Sequence, residues 1–251
     1  LAGDNPPEFL LTHPITSSRV SDAFNAADQI EFTGGKKNTI NFEFIKGRLK
    51  ARYNSLSPQA AVRYFEKLYK DTPTNENKYA YISALQSNGQ TDQALDVMNE
   101  ILKKFPKNLV LNITKSEILL SGQRLSEAQM NIEQVLNISP GNYPASIIKA
   151  KILSSKKEFI TAEEILRDLL ISKNRDPGLW MQLSEVQRAG KNIVGYHLSR
   201  GEYYTLIGDF DNALNQFQFA LGLSGNSFQT SETIMTKIKF AKERLGRRRG
   251  F

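Results

Sequence analysis

The stretch ALDVMNEILKKFP, residues 94–106, is answered by AQMNIEQVLNISP, residues 128–140. Ala94 and Ala128 stand 34 residues apart, as do Pro106 and Pro140, and a further step of 34 lands on Ala162 in TAEEILRDLL. Four and seven residues after each alanine come larger apolar side chains: Met98 and Ile101, Ile132 and Val135, Leu166 and Leu169. That spacing gathers them on one face of a helix, with the small residue where two helices approach closely. Gly89 and Gly122 mark turns, with Asp92 and Ser126 expected to cap the helices that follow. The loops Pro106-Lys107-Asn108, Pro140-Gly141-Asn142 and Asn174 through Pro177 close each unit.

A period of 34 residues is that of the tetratricopeptide repeat (TPR), a helix–turn–helix unit. One such pair cannot bury its apolar face alone, so an all-α solenoid of stacked pairs is expected. A fourth unit opens at Pro177, with Trp180 and Leu183 at large-residue positions, and a tyrosine-rich helix through SRGEYYTLIGDF follows. Asp211-Asn212-Ala213 then opens another repeat-like helix with Phe217 and Ala220 facing inward. From Ala162 to Ala213 is 51 residues, one and a half periods, so the register breaks there. A final helix over about 231–245 caps the stack. Upstream, residues 40–53 and 57–70 read as a degenerate first pair whose apolar set is Phe44, Leu49, Val62, Phe65, Leu68 and Tyr69.

The first helices of the units line the concave side. Repeat spacing places Tyr79, Ser83, Gln86, Ile113, Glu117, Ile147, Lys151, Met181, Gln182 and Glu185 along that groove, with a plain surface or semi-core position as the alternative for each. Concave TPR surfaces often bind peptides. The kind that clamps a chaperone's C-terminal carboxylate uses Lys and Asn at fixed first-helix positions. Here those positions read Tyr79 and Ser83, then Val110 and Thr114, so that clamp is missing. The mixed lining suits extended or partly unfolded segments better than an acidic tail.

Composition is that of an ordinary globular chain, 40% hydrophobic and 24% charged over 251 residues, with apolar runs too short to cross a bilayer. No cysteine is present, which removes disulfides and thiolate chemistry. The net charge of +7 is concentrated in part at Lys242, Arg244 and Arg247 through Arg249, read as a solvated terminus. Nucleic-acid binding would rest on that charge alone, without an aromatic-basic platform, and is not expected.

The first 35 residues have no echo at the repeat period. In PPEFLLTHPITSSRVSDAFNAADQI, Pro14 biases His13 toward extended backbone, and a helix is expected from about residues 16–18, carrying Arg19, Val20, Ala23, Ala26 and Ala27. Thr12-His13-Pro14, four further residues, then Arg19, an apolar residue and an acidic-to-Ala step form a pattern that resembles the end of the catalytic domain in a family of zinc metalloproteases. HtpX and the CAAX-processing protease Ste24 belong to that family. With TPR repeats following directly, and with IKGRLKARY, VRYFEKL and EYYTLIGDFDNAL, the chain is similar to the BepA-like periplasmic metalloprotease-chaperones of Gram-negative bacteria. The resemblance is specific at residues 6–29 and generic to TPR proteins elsewhere.

The resemblance implies that residues 1–35 end a metalloprotease domain and that 36–251 form the TPR solenoid. It also implies a periplasmic role in outer-membrane protein assembly and quality control. The implied partners are outer-membrane β-barrel proteins, their assembly machinery and an upstream protease domain. In the family, zinc is held by two His of an HExxH helix and a later Glu, with the HExxH Glu as general base. This chain has only His13 and His197 and no HExxH, so no catalytic residue is assigned to it, and zinc would be held by residues outside it. His13 matches the family's THP-loop histidine, which implies a regulatory ligand at the open zinc position; a loop histidine packed on the repeats is the alternative. Arg19 would then lie near the active cleft, or else anchor the segment by a salt bridge. His197, with no second ligand at helical spacing, reads as structural. The rival to the whole reading is a free-standing TPR adaptor, and an HExxH upstream of Leu1 would separate the two.

Overall fold

The structure, a computed structural model, describes residues 17–28, 39–225 and 228–249. The chain divides into two compact units, Leu1–Thr39 and Ile40–Phe251. In the first, one helix is described, α1 (Ser17–Asp28), which begins where the sequence places it. His13 lies outside the described residues, and so does the side chain of Arg19.

The second unit is a run of helices: α2 (Ile40–Arg52), α3 (Pro58–Asp71), α4 (Asn75–Ser87), α5 (Thr91–Lys104), α6 (Leu109–Ser121) and α7 (Leu125–Ile138), then α8 (Tyr143–Ser155), α9 (Phe159–Ser172), α10 (Pro177–Ala189), α11 (Ile193–Leu206), α12 (Phe210–Leu223) and α13 (Phe228–Arg249). The described residues contain no strand. This is an all-α tetratricopeptide-repeat solenoid, with α4, α6, α8 and α10 as the first helices of successive units.

Two backbone devices repeat with the sequence. Thr74, Asn108, Asn142 and Asp176, each 34 residues after the last, cap the first helices by accepting a backbone N–H three residues on. The loop asparagines that close one unit therefore start the next. In the turns within units, a left-handed residue recurs at the same interval: Gly89, Gln123, Lys157 and Lys191, at φ 73°, 59°, 65° and 62°. The expected turn assignments need correction here. Gly122 has ordinary φ, and its neighbour Gln123 takes the left-handed position. Asp92 and Ser126 are not caps, because α5 and α7 begin at Thr91 and Leu125, after Gln90 and Arg124, which make no side-chain cap. Asp92 instead pairs with Arg124 of the next turn at 3.2 Å.

The core follows the repeat closely. Ala94, Ala128 and Ala162 are fully buried, with Met98, Ile101, Ile132, Val135 and Leu166 buried beside them. In the third copy Leu170 is buried and Leu169 only partly so.

Two helices depart from the regular stack. The expected first pair does not form: α2 packs on α4, and Leu49, assigned to the α2–α3 contact, is 48% exposed. The cause is Gly47, where a Cβ would lie 2.3 Å from the Glu76 carbonyl oxygen and 3.1 Å from the Ala80 nitrogen. The missing side chain lets α2 lie directly on the α4 backbone. Phe44 is fully buried there, stacked on Tyr79 with centroids 5.5 Å apart and edge-on to Phe105 at 5.9 Å. Lys46 and Lys50 both pair with Glu76.

The second departure is α11, which explains the one-and-a-half-period step. The left-handed turn residue after Lys191 is Gly208, half a period on. Accordingly α11 is the second helix to α10 and the first helix to α12. Its buried residues are all small, Gly195, Ser199 and Gly201. Ser199 donates to Gln187 of α10 at 2.7 Å, while Gly201 leaves room for the Phe217 ring of α12. Small residues on both faces let one helix fit closely between two neighbours. Ala213, Phe217 and Ala220 of α12 are buried with Ile234 of α13.

Candidate functional site

The expected groove residues fall on α4, α6, α8 and α10, and the structure treats them unequally. Tyr79 is fully buried beneath α2; its hydroxyl donates to Thr114 Oγ1 at 2.5 Å, and Thr114 in turn donates to the Val110 carbonyl. It shapes the groove from below and meets no solvent. Burial pushes the Tyr79 phenol up, keeping it a neutral donor. Ile113 is 8% exposed, and Ile147 packs at the edge of the core around Leu166 and Leu183. Glu117 is held by Arg48 of α2 at 3.0 Å.

The remaining residues border two adjoining hollows. One is a cleft of about 510 Å³ between α6, α8 and α10, where Leu120, Ala150, Leu166, Met181 and Val186 make an apolar floor. Lys151, Gln182 and Glu185, all expected in the groove, are on its walls. The Oε1 of Gln182 is buried and has no hydrogen-bond partner among the described residues, an acceptor aimed at nothing in the chain. Glu185 is partnered by Arg188 at 2.7 Å.

The other hollow, about 330 Å³, is polar and lined by Arg48, Arg52, Ser83, Gln86, Ser87 and Ser121. Ser121 borders both. Ser83 donates to the Tyr79 carbonyl and Ser121 to the Glu117 carbonyl, Arg48 is engaged by Glu117, and the Gln86 amide donates to Ser121 at 3.4 Å, which leaves Arg52 and the Ser87 hydroxyl as donors toward a ligand. Arg52 has no carboxylate partner among the described residues; its guanidinium lies over the Tyr53 ring, 6.0 Å from the centroid.

Repeat spacing misses Leu120, Ser121, Ser154 and Ser87. They lie three or four residues beyond Glu117, Lys151 and Ser83 on the same helical stripe, so extending each stripe by one turn finds them. Arg48 and Arg52 carry no such signal, since they reach the groove only because α2 leaves its regular place.

The described residues offer no zinc site. No three of His, Cys, Asp and Glu gather as a metal cluster among them. His197 is engaged with Gln216 at 2.8 Å and packs against Phe219. No described helix is long and apolar enough to cross a membrane.

The fold is that of a TPR array, and comparison with known proteins adds where such an array has been met. The chain is 24% identical over 213 residues to the Beta-barrel assembly-enhancing protease of Escherichia coli K12, covering 84% of this chain and 43% of that protein. It is 29% identical over 165 residues to the protein of the same name from Yersinia pestis, covering 57% of this chain and 33% of that one. The chain thus spans less than half the length of the curated relatives it matches. No family model matches it. Among solved structures, a tetratricopeptide repeat protein from Parabacteroides merdae is similar at 15% identity and TM-score 0.49, over 90% of both chains. A thermophilic TPR protein of Thermus thermophilus is similar at 18% identity and TM-score 0.47, over 80% of this chain and 99% of that one.

Proposed function

We propose that residues 36–251 are the recognition arm of a BepA-like periplasmic metalloprotease-chaperone, gripping extended segments of outer-membrane β-barrel proteins or of their assembly machinery. In this reading residues 1–35 end the protease domain, zinc is held by residues upstream of this chain, and His13 and Arg19 stand beside that zinc site. The observation that carries the reading is the apolar cleft between α6, α8 and α10, open on the concave side and walled by polar groups suited to backbone. Likeness to the β-barrel assembly-enhancing proteases supplies the kind of client. Apolar floors with a few placed polar groups are how grooves of this size hold extended chains.

The test is capture of a urea-unfolded outer-membrane β-barrel protein by the intact protein, compared with a Met181→Glu, Leu120→Glu double variant. Both side chains lie on the cleft floor, so the double variant should lose capture while keeping its helical circular-dichroism signal. Undiminished capture would remove the groove from the reading.

A further inference from the structure

The last helix of the array carries a charge that the groove does not use. Helix α13 rests on α12 through a stripe of Ile234, Ala241 and Leu245, all buried. The basic segment 242–249, expected from the sequence to be a solvated terminus, is therefore the end of an anchored helix that runs to Arg249. Residues 228–249 hold seven Lys and Arg against Glu232 and Glu243, so five of the chain's seven net positive charges stand on this one helix. Lys237, beside the docked stripe, pairs with Glu202. Lys239, Lys242 and Arg247 are exposed and have no carboxylate partner among the described residues, and Arg244 lies over the Phe240 ring, 5.1 Å from its centroid.

We propose that α13 is a membrane-surface helix: its outward face docks on an anionic phospholipid bilayer, with Lys239, Lys242 and Arg247 among the headgroup phosphates and Phe228 and Met235 at the acyl boundary. Charge alone fits any polyanion, and the apolar residues choose the bilayer. Phe228, Met235, Lys239 and Lys242 follow one another at spacings of seven, four and three, a stripe about a third of a turn round the helix from the buried one. Phe228 is 76% exposed and Met235 54%, apolar surface that water disfavours and a bilayer interface accepts. The helix dipole accounts for cations in the last turn, but Lys239 and Lys242 stand about three and two turns before the end. No described helix is long and apolar enough to cross a bilayer, and the contact is one that lies along its surface. It uses no groove residue and stands apart from the recognition reading.

The experiment is co-sedimentation of the intact protein with vesicles, equimolar phosphatidylglycerol and phosphatidylcholine against phosphatidylcholine alone. Binding should need the anionic lipid and weaken as salt rises. A Lys239→Gln, Lys242→Gln variant should lose about 25-fold in binding, at about fivefold for each cation near the surface. Both lysines are exposed and unpaired, so the helical circular-dichroism signal should stay. Lys104→Gln with Lys107→Gln removes the same charge from the end of α5 and the loop after it, and should leave binding unchanged. Phe228→Ser with Met235→Ser should lose about tenfold. Equal binding to neutral vesicles, or an equal loss in the Lys104, Lys107 control, would overturn the proposal. So would a serine variant that binds as before, since the face would then meet charge without entering a bilayer. Binding of a labelled single-stranded oligonucleotide with no binding to vesicles would overturn it as well and reassign the face to nucleic acid.

Discussion

Replacing Gly47 with alanine should pry α2 from the array. The new methyl group would sit 2.3 Å from the Glu76 carbonyl oxygen, where ordinary contact begins near 3.4 Å, so the helices must part by about 1 Å. Both close neighbours are backbone atoms of α4, so no side-chain rotation can relieve the clash. Parting the helices loosens the packing of the buried Phe44 ring on Tyr79. Overpacking of this kind costs about 1–3 kcal/mol. Alanine recovers up to about 1 kcal/mol through its better helix propensity, leaving a net loss of roughly 1–2 kcal/mol. Gly222→Ala is the matched control: it makes the same chemical change within α12, where a Cβ would meet nothing within 4 Å, and it should gain up to about 1 kcal/mol. Urea unfolding followed by circular dichroism measures both, and trypsin cleavage after Lys46, Lys50 and Arg52 reports the release of α2. Because repeat arrays can unfold in parts, the cleavage rate locates a loss that the melt only sums. If Gly47→Ala gains stability as Gly222→Ala does, with no faster cleavage, the docking of α2 on α4 is wrong.

Three further outcomes follow from the same geometry. Lys157 holds a left-handed turn position that Gly89 fills two units earlier, so Lys157→Gly should raise stability by about 1 kcal/mol and Gly89→Ala should lower it by a similar amount, both read as urea midpoints. Hydrogen bonds from Lys50 and then Lys46 hold the Glu76 carboxyl below its ordinary value of 4.5. Its folded-state pKa being depressed, the stabilisation it lends α2 is full above that ordinary value and is lost as pH falls through the folded one. Trypsin cannot follow this at acid pH, so pepsin cleavage between residues 40 and 56 should rise on acidification, and Glu76→Gln should flatten that rise. In the intact protein His13→Ala should raise proteolysis of a casein-type substrate if His13 is a regulatory ligand; an unchanged or lower rate would remove that role.

Much of the fold is legible in the sequence because the repeat writes it several times over. Ala94, Ala128 and Ala162 recur at one interval, and the small residue needed where helices touch leaves few other arrangements. The break after Ala162 is legible as a number, 51, while its cause is not. That cause is the dual packing of α11 through Gly195, Ser199 and Gly201, and glycine and serine at those positions give no apolar stripe to read. The groove is legible only where it follows the repeat. Lys151, Met181, Gln182 and Glu185 border the cleft, but Tyr79 is covered by a helix from outside the regular stack. Nothing local in IKGRLKAR says that Arg48 will meet Glu117, 69 residues away. That contact depends on the absence of a side chain at Gly47 and on the shape of α4, and both are tertiary facts.

The two irregular helices together bound the site. A regular array would carry its concave face from the first unit to the last. Here α2 covers the face at α4, and at the other end the half-period step passes the chain from α10 to α11, whose partner α12 begins a new register. What stays regular and uncovered is the run α6, α8, α10. Three helices side by side at roughly 8–10 Å give a track of about 20 Å, enough for about six residues of extended chain at ~3.3 Å each. A track so short holds a segment and not a folded domain. Affinity from six residues is modest, so a client held this way needs a second contact elsewhere.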